Sequence, residues 1–194
     1  MSLPQPKIPF GPDDYLAWEQ DQSLRNEYVD GEVFAMSGAS DAHATVALNI
    51  ASTLRTALRG TAGKPFMADM KVHVEAANCF FYPDILVTCD PRDRRPEASH
   101  VKQHPALIVE VLSPSTEAYD RGNKFAAYRL LPSLEEYVLV SIEERRIEVF
   151  RRDDTGHWVL YPFAAEEMLE LVSVDLRCPL AELFEGVEVE LPGG

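Results

Sequence analysis

The 194-residue chain has no long hydrophobic run and no cysteine pattern. No stretch approaches the roughly 20 apolar residues that cross a bilayer, so we expect no membrane partner. The N-terminal residues also lack the charged-then-apolar layout of a signal peptide. The three cysteines are an odd number without CxxC spacing, which argues against a disulfide framework or a zinc site. These absences favour a reducing, cytoplasmic location.

Basic residues are scarce as well. The 18 Lys and Arg are outnumbered by 32 Asp and Glu, and the formal net charge is −14. Nucleic-acid affinity rests largely on neutralisation of phosphates by Lys and Arg, so this balance argues against tight, non-specific binding to nucleic acid. Acids at a metal site are neutralised by the ion, however, and the arginines cluster at 92–95 and 145–152. Arginine groups of this kind more often form a solvent-exposed surface than a DNA-binding surface.

The composition fits a globular protein, since 46% of the residues are apolar. We expect a flexible leader over residues 1–11 and a single domain over residues 12–194. The domain begins with a helix from Pro12 to about Asp21. A β-hairpin follows around Asp30-Gly31, the strongest short hairpin signal in the chain. Ser40 then caps a second helix that runs to about Arg59.

The second half of the chain alternates strands with one helix. Two antiparallel strands are predicted within residues 64–87, the second running from Phe80 to Val87. The polar loop 89–104 is either a substrate-contacting lid or disordered. The strand predicted at Glu136–Ser141 should pair in parallel with an earlier strand across a helical crossover, and a hairpin follows at 146–163. The fold class is therefore α/β (α+β), with a central mixed β-sheet flanked by helices.

The most informative stretch is Ala106–Tyr128. It opens with an apolar, β-branched run typical of a strand buried on both faces. Glu110 lies within that run, and burial of an unpaired carboxylate is costly, so it needs a partner, a proton or a metal ion. A Ser-Pro-Ser-Thr turn leads into a helix that presents Asp120, Lys124 and Tyr128 on one face. Upstream, Asp84 opens another apolar strand.

Two carboxylates and a lysine suit a metal-dependent phosphodiesterase. Carboxylates hold Mg²⁺ through oxygen, and the ion polarises a phosphoryl oxygen and lowers the pKa of its water. A lysine can orient that water or offset charge on the phosphate. The alternative is that Asp120–Lys124 is an ordinary surface ion pair and Glu110 a structurally satisfied acid. The residues alone leave both interpretations open.

The pattern PDI…VEVLSPST…D…K…Y, followed by EYVLV, resembles the Uma-two family of predicted restriction endonucleases. The resemblance extends from about Tyr15 to Phe184. It implies the PD-(D/E)xK nuclease fold, with Asp84 and Glu110 as the metal-binding acids. The usual pattern has a lysine two residues after the second acid, where this chain has Leu112. The resemblance instead implies Lys124 as a migrated catalytic lysine.

The family's N-terminal E…DGE…H pattern implies auxiliary roles for Glu27 and His43. Taken alone, Glu27 would be an exposed strand acid and His43 a polar surface group. Lys71 is a rival for the catalytic lysine because it lies on a strand near Asp84.

The leading hypothesis is a Mg²⁺- or Mn²⁺-dependent endonuclease that acts on nucleic acid, DNA above all, as a possible homodimer. The alternative is a catalytically inactive nuclease-fold protein that serves as a dimeric interaction or nucleic-acid-binding module. A metal-dependent hydrolase of smaller phosphoesters is a third, weaker hypothesis.

Overall fold

The computed structural model describes residues 10–36 and 38–188. The leader predicted over 1–11 lies almost wholly outside the described residues, as does the end of the 12–194 range. The helices are α1 (Pro12–Glu19), α2 (Asp41–Ala57), α3 (Glu117–Tyr119), α4 (Phe125–Tyr128) and α5 (Leu180–Leu183), with a π-helical segment, Asp120–Lys124, joining α3 to α4. The strands are β1 (Asn26–Val29), β2 (Glu32–Ala35), β3 (Lys64–Met67), β4 (Lys71–Val74), β5 (Cys79–Phe81), β6 (Ile85–Thr88), β7 (Val101–Lys102), β8 (Pro105–Val111), β9 (Glu136–Ser141), β10 (Arg146–Arg152), β11 (Trp158–Phe163), β12 (Met168–Leu171) and β13 (Leu176–Pro179).

The strands form three sheets. A five-stranded sheet has the order β2-β1-β5-β4-β7, and a six-stranded sheet has the order β11-β10-β9-β8-β6-β3. The pair β12-β13 forms the third sheet. The six-stranded sheet is mixed, because β8 pairs with β9 in parallel and with β6 in antiparallel orientation. The parallel pairing predicted for the Glu136–Ser141 strand is confirmed.

The N-terminal elements form as predicted. Asp30 and Gly31 both have positive φ, 46° and 96°, as the tight turn between β1 and β2 requires. Ser40 caps α2, its side chain accepting a hydrogen bond from the backbone N–H of His43. α2 then packs its apolar side on the six-stranded sheet.

Alternation along β8 decides which way Glu110 faces. Leu107 and Val109 pack in the core under α2. Ile108 and Leu112 pack in a second core on the opposite face of the sheet, which the helix of α3 and α4 covers. Successive strand residues point to opposite faces, so Glu110 lies on the side of that helix.

The strand predicted from Phe80 to Val87 is wrong in one respect. It divides into β5 and β6, which belong to different sheets. Pro83 lies at the division, and a proline has no N–H to continue a strand ladder. The predicted antiparallel neighbour is confirmed for β5, which pairs with β4, whereas β6 pairs with β3 and β8. Asp84 therefore occupies the junction between the two sheets.

Both alternatives for the loop 89–104 are wrong: the loop has regular structure, and it does not cover Asp84 and Glu110. It contains two 3₁₀ turns and β7, and Asp93 accepts hydrogen bonds from the backbone N–H groups of Gln103 and His104. It joins the end of β6 to the start of β8. Because β6 and β8 are antiparallel, with Ile85 opposite Val109, the loop lies at the far end of the strands from Asp84 and Glu110.

The hairpin predicted at 146–163 is confirmed as β10–β11. The chain then continues with the antiparallel pair β12–β13 and the short helix α5. Over the described residues, no helix has the length and apolar character needed to span a bilayer.

Glu136 is a buried structural carboxylate at the start of β9. It receives hydrogen bonds from Arg151 Nε at 2.8 Å and from the backbone N–H groups of Val172 and Ser173 at 3.2 and 2.9 Å. It therefore ties the six-stranded sheet to the turn after β12.

Replacing Glu136 by alanine should lower the free energy of unfolding by about 3 kcal/mol, because a partly buried guanidinium and two backbone donors lose their buried acceptor. Chemical denaturation measures this change. Glu143→Ala, at an exposed position in the next turn, is the control and should stay within about 0.5 kcal/mol of wild type. Equal stability of the two variants would contradict the assignment.

Candidate active site

A buried lysine connects the predicted site residues. Lys124 Nζ lies 3.0 Å from Glu27 Oε1, 2.9 Å from Glu110 Oε1 and 3.6 Å from Asp120 Oδ1. The lysine side chain is only 6% exposed. Three carboxylates from three parts of the chain therefore surround one ammonium group, and the interpretation of Asp120–Lys124 as a surface ion pair is wrong.

Each partner is fixed by its own element. Glu27 stands on β1, and its Oε1 also accepts the backbone N–H of Tyr82 at 3.1 Å. Glu110 stands on β8, and its Oε1 accepts the hydroxyl of Tyr128 at 3.1 Å. Lys124 ends the π-helical segment, a rare widening of the helix that often occurs at functional sites.

Asp84 and His43 form the second half of the cluster. His43 Nε2 lies 2.8 Å from Asp84 Oδ1, and Asp84 Oδ2 accepts the backbone N–H of Val111 at 2.7 Å. Val111 directly follows Glu110. The β6–β8 register, extended by one residue, also places Asp84 opposite Glu110. The structure thus brings together all five predicted residues: Glu27, His43, Asp84, Glu110 and Lys124.

Exposure rises from one end of the cluster to the other. The side chains of Glu110 and Lys124 are 5% and 6% exposed, whereas that of Asp84 is 22% exposed. Asp84 therefore lies at the open end of the site and Lys124 at its buried end. A ligand from solvent would meet Asp84 first.

The electrostatics of the cluster follow from burial and an excess of acids. Burial raises the pKa of the Glu110 carboxyl well above its usual range, against the opposing charge of Lys124. Burial also raises the pKa of Asp120. For Lys124, desolvation acts to lower the pKa, but the charges of Glu110, Glu27 and Asp120 outweigh it and raise the pKa. The lysine is therefore a permanent cation.

His43 carries a related shift. Its hydrogen bond with Asp84 raises the pKa of the imidazole, although burial opposes this. Even with His43 protonated, two cations would stand against the four carboxylates of Glu27, Asp84, Glu110 and Asp120. The acidic groups of the cluster therefore outnumber its basic groups.

Two contacts of this site had no signal of their own in the sequence. Asp120 was visible only as an i, i+4 partner of Lys124, and its burial comes from the tertiary packing. The backbone N–H of Val111, bound to Asp84, carries no sequence signal. The rival lysine, Lys71, lies elsewhere: its ammonium stands 5.2 Å over the Tyr82 ring, and burial lowers its pKa.

The donor set fits a small, oxygen-seeking divalent ion held by few protein ligands. Within residues 10–36 and 38–188, no three His, Cys, Asp or Glu side chains form a group that could hold a metal. Mg²⁺ commonly takes only one or two carboxylates and completes its shell with water and phosphate oxygens. Asp84 and Glu110 supply such a pair, and binding of a cation beside them would favour the charged form of both acids.

The fold has a clear counterpart among solved structures. A crystal structure described as a "putative nuclease belonging to DUF820", from Anabaena variabilis, matches with a TM-score of 0.74 at 16% sequence identity. The match covers 89% of this chain and 96% of that one. The chain therefore has a restriction-endonuclease-like fold, a mixed sheet flanked by helices.

The family is equally clear. The model of the Uma-two family (Uma2), described as "Putative restriction endonuclease", matches residues 12–181, and the chain belongs to this family. An uncharacterized Synechocystis protein, slr1290, is 37% identical over 186 residues, covering 96% of each chain. A second, sll1609, is 28% identical over 153 residues, covering 79% of this chain and 86% of the other. Family and fold support a restriction-endonuclease-like nuclease.

Removing the lysine tests the electrostatic account. Lys124→Met should lower the free energy of unfolding by about 3 kcal/mol near pH 8, because three buried carboxylates lose their counter-charge. Without the ammonium, which opposes the effect of burial, the pKa values of Glu110 and Asp120 rise further in the folded state. The loss should therefore shrink as the pH falls toward 5 and the acids take up protons.

Denaturation at several pH values measures this dependence. Lys64→Met removes an exposed lysine of β3 and is the control, with little change expected at any pH. A loss of stability for Lys124→Met that stays constant across this range would contradict the account.

Proposed function

We propose that this protein is a metal-dependent endonuclease that hydrolyses phosphodiester bonds of nucleic acid, with DNA as its substrate. One observation carries the proposal: Asp84 accepts the backbone N–H of Val111, next to Glu110, and a buried lysine lies 2.9 Å from the Glu110 carboxylate. A structural ion pair would not require the further acids Glu27 and Asp120 around the same ammonium.

Asp84 and Glu110 are the proposed ligands of Mg²⁺ or Mn²⁺. When bound, such an ion polarises a phosphoryl oxygen and lowers the pKa of a coordinated water. Glu110 has its Oε1 engaged by Lys124 and Tyr128. His43 holds Oδ1 of Asp84, and the backbone N–H of Val111 holds Oδ2, so the orientation of the Asp84 carboxylate is set before any ligand arrives.

Lys124 is proposed to act through its charge. Because its pKa is raised, the ammonium keeps its protons and cannot serve as a general base. It can orient the attacking water and offset charge on the phosphate. Glu27 and Asp120 are positioning residues, since they contact the ammonium from its other sides.

In the proposed reaction the oxygen of a water molecule bonds to phosphorus, and the bond from phosphorus to one sugar oxygen breaks. The proton lost by the water reaches that leaving oxygen through solvent. Lys124 would offset the charge that develops on the attacked phosphate, and Asp84 and Glu110 would hold the metal ion. A homodimer, the proposed oligomeric state, would carry two such sites. Light scattering tests that proposed state.

A second candidate function has support of its own. The net charge of −14 and the full pairing of Lys124 also suit a catalytically inactive nuclease-fold protein that binds partners or nucleic acid. Such a module would show no metal uptake at Asp84 and Glu110. Calorimetry therefore separates the two candidates independently of any cleavage assay.

The enzyme proposal predicts cleavage of plasmid and single-stranded DNA in Mg²⁺ or Mn²⁺, abolished by EDTA. Asp84→Asn and Glu110→Gln should each lower the cleavage rate by at least about 100-fold. Loss of a residue that only orients a metal ligand lowers activity by roughly 10- to 100-fold, and loss of the ligand itself should cost more. Gel assays measure the rate, and calorimetry should show weaker metal binding in the same two variants.

The matched control is Glu97→Gln, which removes an exposed acid from the loop 89–104. It should cut as wild type does. Cutting by all variants would indicate a contaminating nuclease or a different site. No cutting and no metal uptake by the wild-type protein would reject the enzyme proposal in favour of the binding module.

A further inference from the structure

An exposed aromatic side chain stands beside the candidate active site. Phe34 lies on β2, the edge strand of the five-stranded sheet. It pairs directly with Glu27 of β1, and directly opposite residues of an antiparallel pair share one face of the sheet. Phe34 is 50% exposed. Its ring therefore lies on the face that carries Glu27 and Lys124, with solvent on its free side.

The opposite face of the β1–β2 hairpin contributes to the protein core. Tyr28, the next residue along β1, packs against Tyr15 and Phe80 in a small core under α1. Val33 pairs with Tyr28 and is 40% exposed on that other face. Phe34 and Val33 are thus neighbours of similar exposure on opposite sides of one strand.

A second aromatic residue lies in the field of Glu27. Tyr119 of α3 is half-buried. Burial raises the pKa of its hydroxyl to about 12, with the charge of Glu27 as the next cause. Tyr119 packs against the core that lies under α3 and α4.

The charge of the protein limits how it can hold a polyanion. With a net charge of −14 and the lysine of the site already paired with three acids, phosphate neutralisation contributes little. Stacking of bases on aromatic rings needs no positive charge and tolerates any sequence. A base is free to stack only where it is unpaired, since a base within a duplex must first be extruded.

We propose that Phe34, which pairs with Glu27 of the candidate active site, is a stacking platform for an unpaired base, so that the substrate is single-stranded or locally unpaired nucleic acid. This inference rests on the proposed nuclease function and names its substrate class. Phe34 would then position the substrate and would not form an interface with a second copy of the chain.

The test uses the full-length protein in EDTA, where no metal-dependent cleavage occurs. Fluorescence anisotropy measures binding of a labelled single-stranded DNA oligomer and of the matching duplex. Wild type should bind the single strand more tightly than the duplex. Phe34→Ala should raise the dissociation constant for the single strand about tenfold, whereas Phe34→Trp should retain binding. A 2-aminopurine base in the oligomer should be quenched by wild type and not by Phe34→Ala.

Val33→Ala is the matched control and should bind as wild type does. Unchanged binding by Phe34→Ala would overturn the proposal. So would equal losses in the Phe34 and Val33 variants accompanied by a lower mass in light scattering, because that result places a second copy on β2. Circular dichroism checks that each variant is folded.

The outcomes also separate this inference from the proposed function. Binding that depends on Phe34 without any metal-dependent cleavage would reject the hydrolysis and keep the stacking platform. Cleavage that proceeds with binding unaffected by Phe34→Ala would keep the nuclease and reject the platform.

Discussion

The structure depends on one buried ammonium group. Lys124 Nζ is held by Glu27, Glu110 and Asp120, which come from β1, β8 and the π-helical segment. Burial of any one of these charges alone would be costly, and the cluster lowers that cost only when all of its members are in place. The ion cluster therefore fixes how the hairpin β1–β2 and the helix over the sheet meet β8. It also sets the geometry of the candidate active site.

The same cluster explains why the site suits a cation. Its acids outnumber its basic groups, and Asp84 is the most exposed of these acids. Asp84 is oriented by His43 on one oxygen and by the Val111 N–H on the other. Lys124 fixes Glu110 from the buried side. Asp84 and Glu110 are thus held by different hydrogen-bond partners. The more exposed end of the site, at Asp84, is accessible to a ligand.

Much of this could be predicted from the sequence because local signals agreed with the tertiary structure. The Asp30-Gly31 turn and the apolar run around Glu110 are local patterns, and they placed β1, β2 and β8 well. The strand–helix–strand order predicted the parallel pairing of β8 and β9. The five predicted site residues meet in space, although their roles in catalysis rest on the proposal.

The errors have a common physical origin in long-range topology. Phe80–Val87 looks continuous because its apolar residues suit either sheet, and only the packing decides that β5 and β6 diverge at Pro83. The loop 89–104 could be placed only once the antiparallel β6–β8 pairing was known. Asp120 and Lys124 have the spacing of a surface pair, and β1 and β8 are what bury them. The spacing of apolar residues indicates which face of a helix or strand is apolar. It does not indicate which other element packs on that face.

The account's central claim is that Asp84 and Glu110 hold a divalent ion. A crystal structure of the wild-type protein soaked in Mn²⁺, with an anomalous difference map, tests it most directly. The account predicts a peak at about 2.2 Å from a carboxylate oxygen of each acid, with water completing the shell. A peak at another site, or its absence while Asp84 stays paired with His43, would contradict the claim.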